Sequence, residues 1–191
     1  MGRMFSLMIL GWLPVLGLAV GCGDGGGSGQ SGTECPGGKL DTKTNLCWQH
    51  PIEDTLMTWQ EALDYCDSLD KGSSTDWRLP TLDELRSLVV GCAFTITGGS
   101  CGLCDGCAKL SCGDDSCNGS TWLKGPSSQG CYWSDELNSA AACFALWSST
   151  AVTDDAEKAF SVNFGSATIV PKEKEPAEST TRARCVRTMT P

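Results

Sequence analysis

Residues 76–90 read DWRLPTLDELRSLVV, and the reading of the fold turns on this stretch. Trp77-Arg78-Leu79-Pro80 reads as an extended segment, because the ring of Pro80 disfavours helix at Leu79. Thr81-Leu82-Asp83-Glu84 follows at once as a capping box, in which the threonine side chain and the glutamate three residues on satisfy each other's backbone N–H groups. Leu82, Leu85, Leu88 and Val89 then recur at helical spacing and give the helix an apolar face. Extended chain thus breaks directly into a short amphipathic helix.

The same grammar continues in both directions. Upstream, Thr58-Trp59-Gln60-Glu61 is a second capping box that opens a helix to about Leu69, with Cys66 on its core side. Further back, Lys39–Asp41 and Leu46–Gln49 read as two short strands around the turn Thr42-Lys43-Thr44-Asn45. Downstream, Cys131–Ser134 and Phe144–Ser149 read as strands. Ala159–Asn163 alternates, with Phe160, Val162 and Phe164 on one face; Gly165-Ser166 turns and Ala167–Val170 returns. Ala183–Arg187 is the expected closing strand, and the charged run Lys172–Glu178 before it is expected to be a solvated loop. Between the second helix and the later strands, residues 92–131 hold eight glycines and seven cysteines and show no periodicity. Such a stretch cannot build an apolar core alone, so covalent staples are expected to hold it.

The chain has 191 residues, enough for one domain with its own core. Its thirteen cysteines point to an oxidising compartment or else to metal clusters, and its net charge of −9 argues against nucleic acid, whose phosphates need a basic stripe. Residues 1–21, MGRMFSLMILGWLPVLGLAVG, carry one positive charge at Arg3 ahead of an apolar run too short to cross a bilayer, as an export signal does. The end, Leu18-Ala19-Val20-Gly21-Cys22, resembles a bacterial lipobox, with Ala19 where leucine is usual. That resemblance implies cleavage after Gly21 and acylation of Cys22, a membrane partner through the lipid, and the outer membrane as destination, since no aspartate directly follows Cys22. Residues 22–33 then form a Gly/Ser-rich tether, and the domain occupies 34–191. Setting Cys22 aside leaves twelve cysteines, an even number, as complete pairing requires.

Leu46-Cys47-Trp48-Gln49, Thr58-Trp59-Gln60-Glu61-Ala62, Tyr65-Cys66, Asp76–Thr81, Glu84-Leu85, Trp147-Ser148-Ser149-Thr150 and Arg184-Cys185-Val186-Arg187 occur in an order that resembles the Lcl C-terminal domain family, a domain of unknown function. The resemblance runs from about Leu40 to Arg187, interrupted by the cysteine-rich insertion. It implies an α+β, C-type-lectin-like fold related to the formylglycine-generating enzyme, with two helices packed on a twisted, mainly antiparallel sheet. It further implies the pairs Cys66–Cys185 and Cys35–Cys47. For Cys92, Cys101, Cys104, Cys107, Cys112, Cys117, Cys131 and Cys143 the pairing stays open.

The spacing Cys101-x2-Cys104-x2-Cys107, with Cys112 and Cys117, resembles a metal-ligand set, but exported thiols oxidise and disulfides are the expectation. Glu175-Pro176-Ala177 approaches a lectin calcium triplet without its amide, and Asp114-Asp115 and Asp154-Asp155 read as solvated loop acids, so no metal or cofactor is expected. The single histidine, His50, has no evident acid or nucleophile partner, so no catalytic residue is assigned. Trp48, Trp59, Trp77, Trp133 and Trp147 are expected in the core and Trp122 on the surface. The expected function is a non-catalytic, surface-anchored binding or adhesion domain for a glycan or an envelope polymer. The alternatives are a formylglycine-generating type of enzyme and a structural envelope component.

Overall fold

Two short hairpin strands start the fold because Asp41 organises the turn between them. Its carboxylate accepts from the Lys43 amide at 3.0 Å and the Thr44 hydroxyl at 2.7 Å, and Asn45 takes the left-handed conformation at φ 57° that asparagine tolerates. Strand β1 (Gly38–Asp41) therefore returns antiparallel as β2 (Leu46–Gln49), with Leu40 opposite Cys47. In this computed structural model the described residues are 35–137, 143–175 and 181–189; the expected export signal, Gly21, Cys22, the 22–33 tether and Pro176-Ala177 lie outside them.

Both capping boxes form. Helix α1 (Trp59–Asp67) starts at Thr58 and α2 (Leu82–Ser87) at Thr81, each with reciprocal bonds to the glutamate three residues on. Arg78 clamps the second box from outside through a two-pronged ion pair with Glu84 at 2.6 and 2.7 Å. Ala62 and Cys66 of α1 are buried, and Leu82, Leu85, Leu88 and Val89 carry α2 and its exit into the core. Helix α1 packs on β3 (Ala145–Ala151), and α2 on β3 and β4 (Lys158–Asn163).

Those strands belong to a second sheet. It runs β5 (Thr168–Glu173), β4, β3, β6 (Thr181–Arg182); β6 lies parallel to β3 and the other pairs are antiparallel. The first sheet has the order β1-β2-β7, with β7 (Val186–Thr188) pairing Val186 to Trp48. The fold is mixed α and β, with two helices and two sheets among the described residues. One apolar cluster gathers Trp48, Leu82, Leu85, Trp133, Phe160 and Phe164. The other gathers Cys66, Cys185, Trp77 and Trp147, whose indole N–H groups find the Lys71 and Met57 carbonyls at 3.0 and 2.8 Å.

Three expectations need correction. Ala183–Arg187 is not one strand: the chain leaves β6, crosses buried through Ala183, Arg184 and Cys185, and enters the other sheet as β7. Cys131–Ser134 is not a strand either; the Tyr132 N–H bonds Phe164 and its carbonyl accepts from Val90, so it bridges two elements without laddering along one. Lys172 and Glu173, expected in a solvated loop, extend β5 instead, because β4 continues to Lys158 opposite Glu173.

Candidate functional site

The cysteine-rich insertion gains its shape from covalent bonds and from a buried cation. Cys101 is joined to Cys117 and Cys107 to Cys112, while Cys131–Cys143 ties its far end to the approach of β3. The structure also joins Cys66 to Cys185 and Cys35 to Cys47. Cys92 and Cys104 remain free thiols, which corrects the expectation of complete pairing. Their neighbours Cys101 and Cys107 are taken by Cys117 and Cys112, and Cys92 packs inside the main apolar cluster, to which half-buried Cys104 does not belong.

Arg86 is the cation. It stands at the fourth position after Leu82, on the apolar stripe of α2, and is buried. Its Nε donates to the Thr95 carbonyl at 3.1 Å and its Nη2 to Ile96 and Cys101 at 2.9 and 3.2 Å, while Nη1 reaches Leu103. The insertion therefore folds its own backbone carbonyls around a side chain of the helix. Asp105 adds a second attachment: its carboxylate accepts from the Leu82 amide at 3.1 Å and from the Thr150 hydroxyl at 2.6 Å. Further along, the Ser120 and Leu123 amides bond Ser166 and Gly165 across the β4–β5 turn, both at 2.7 Å.

On this fixed scaffold lie four of the six exposed large apolar side chains among the described residues: Phe94, Leu110, Trp122 and Leu123. Trp122 is 54% exposed, and its ring edge rests on Gly165, where a Cβ would come within 2.6 Å of it. The glycine thus gives the indole a floor while leaving most of its surface open. A small groove of about 170 Å³ runs between Leu103 and Leu110 of the insertion and Phe160, Ile169 and Pro171 of β4 and β5, with Asp114 and Asn118 on its rim. A second cleft, about 520 Å³, opens between the β1–β2 hairpin and α2, where Lys39, Asp41 and Lys43 face Leu88 and Val90.

The sequence candidates fall as follows. Trp48, Trp77, Trp133 and Trp147 are buried and Trp59 is half-buried, its N–H bonding the Ser148 carbonyl at 2.8 Å. His50 follows β2 half-buried; burial and then the nearby Arg184 charge hold its imidazole below the usual range. Asp114 caps its own turn through Ser116, whose hydroxyl and amide hold the carboxyl below the usual range. Asp154 accepts from the Leu110 amide, and Asp155 is held low chiefly by its bond from Lys158 at 2.7 Å. Glu175 is exposed. Among the described residues, no three His, Cys, Asp or Glu side chains converge in a way that could hold a metal ion.

Arg86 and Asp105 were not singled out from the sequence. The signal for Arg86 was present as a cation interrupting the stripe Leu82, Leu85, Val89; Asp105, amid glycines and cysteines, offered none. The insertion thus presents an exposed indole seated on Gly165, and further exposed apolar side chains, on a stapled frame. A search of curated proteins gave no significant match. A family model does match: the Lcl C-terminal domain, over residues 39–187.

Proposed function

The chain belongs to the Lcl C-terminal domain family, and on that premise we propose that it is a bacterial envelope lipoprotein carrying a non-catalytic binding domain. The observation that carries the binding reading is the concentration of exposed apolar side chains on the insertion, whose backbone is fixed by Cys101–Cys117, Cys107–Cys112 and Arg86. A rigid frame lowers the entropic cost of meeting a ligand. The proposed ligand is a glycan or an envelope polymer, whose sugar faces stack on an indole such as Trp122. The proposal extends to the fold, as a C-type-lectin-like domain whose insertion would take the place of the binding loops such folds carry.

The anchor belongs to the same proposal. Cleavage after Gly21 leaves Cys22 as the acylated residue, and residues 22–33 supply a glycine-rich leash that holds the domain off an outer-membrane surface. Metabolic labelling with a radioactive fatty acid is expected to mark the protein, and Cys22→Ser to remove the label and release the protein from membranes.

Binding is tested with the purified domain on arrays of glycans and matrix polymers. Trp122→Ala is expected to weaken retention by about tenfold or more with the melting temperature nearly unchanged, since the ring is mostly outside the core. A wild-type domain that retains no polymer sinks the binding reading. A variant that binds as well as wild type moves the contact away from Trp122.

A further inference from the structure

Arg184 has no solvent exposure, yet only one of its three guanidinium nitrogens is satisfied. Nε donates to the Gln49 carbonyl at 3.2 Å, while Nη1 and Nη2 have no partner. The cations on either side are provided for: Arg182 pairs with Asp54 and Arg187 with Asp76. Arg184 has no such acid among the described residues. Burial lowers its pKa to about 10, which still leaves it charged at neutral pH.

Its surroundings offer more donors. The Arg184 guanidinium carbon lies 5.6 Å from the centre of the Trp133 ring, and the Trp133 Nε1 is also buried without a partner. Strand register brings in a second indole. Trp48 stands opposite Val186, and the Gln49 amide bonds the Cys185 carbonyl, so His50 falls opposite Arg184. Alternation then puts Trp48, His50 and Arg184 on one face of this sheet. The Trp48 Nε1 is buried and unpartnered, as is the His50 Nδ1. An imidazole Nδ1 can accept one hydrogen bond, but it brings no negative charge, and among the described residues no carboxylate pairs with Arg184.

We propose that Arg184 holds an enclosed halide ion, with the indole N–H groups of Trp133 and Trp48 as the further donors on that face. A water molecule would accept hydrogen bonds but leave the buried charge unbalanced. A carboxylate or phosphate on a sugar or peptide would balance the charge, but it would need a path to a side chain that has no solvent exposure. A monatomic anion meets both requirements. The ion acts as a structural ligand beneath the crossing from β6 to β7 and is independent of the binding surface on the insertion.

The test uses the whole mature domain in chloride or bromide against gluconate at constant ionic strength. The melting temperature is expected to rise with halide, by roughly 3–5 °C per tenfold increase above the dissociation constant. Bromide and iodide are expected to quench the buried indole emission saturably, and Arg184→Met to abolish both responses. Should that variant not fold, bromide-soaked wild-type crystals decide: an anomalous peak beside the Arg184 Nη atoms supports the assignment. The same melting temperature in halide and gluconate, or no anomalous signal at that position, overturns it.

Discussion

Replacing Cys66 and Cys185 together by alanine is expected to cost about 5 kcal/mol of stability, the largest loss from any single cross-link in the domain. The bridge spans 119 residues and joins the first helix to the segment entering the last strand, so cutting it returns the longest loop to the unfolded ensemble. The same chain-entropy argument gives Cys107–Cys112, with a separation of 5, much less. Both sulfurs are fully buried in the cluster with Trp77 and Trp147, so lost packing adds to the entropic term. For a domain of this size the melting temperature should fall on the order of 10–20 °C. Thermal unfolding of the double variant without reductant measures it, and a shift no larger than that of Cys107→Ala with Cys112→Ala would falsify the ranking.

Arg86→Met is the second large effect, expected at about 3–5 kcal/mol. Methionine keeps the apolar stem but leaves the carbonyls of Thr95, Cys101 and Leu103 without the guanidinium donor, while Ile96 keeps only its bond from the Gly99 amide. The loss should be local before it is global. Amide exchange is expected to quicken at Ile96, Gly99 and Cys101, whose N–H groups close the loop around the guanidinium, while the β4–β5 ladder stays protected. Uniform exchange across the domain would instead make Arg86 an ordinary core residue.

The sequence was legible where a local signal coincides with a local structure. Thr58 and Thr81 announce their helices because a capping box needs only four neighbouring residues, and Asp41 to Asn45 announce their turn for a similar reason. Phe160, Val162 and Phe164 are all fully buried, as their alternation implies, but Ala159 and Ser161 are too, because α2 and the first cluster cover one face and the second cluster the other. Alternation names faces; it does not say that only one is dry. The closing segment was misread for a different reason. Residues 181–188 look continuous in composition, and only the positions of β3 and β2 decide that the chain serves first one sheet and then the other.

The insertion was legible only as a need for staples. Which sulfurs meet is a matter of three-dimensional proximity, and Cys92 and Cys104 show that an even count does not force every pair to close. Trp122 could be placed outside because it lies among glycines and polar residues with no periodic apolar company, and it is exposed. Its seat on Gly165 could not be read, since forty-three positions separate the two and no pattern links them.

The bridge from Cys35 to Cys47 gives the domain a particular mechanical character. A pull applied at Cys35 does not peel β1 away from its neighbour, because the bond passes the load across the hairpin into β2, the middle strand of its sheet. From there it spreads through β7 and the adjoining Cys66–Cys185 link to the first helix. Traction entering at Cys35 is thereby shared by strands that must shear together, in place of a single edge that would unzip one hydrogen bond at a time.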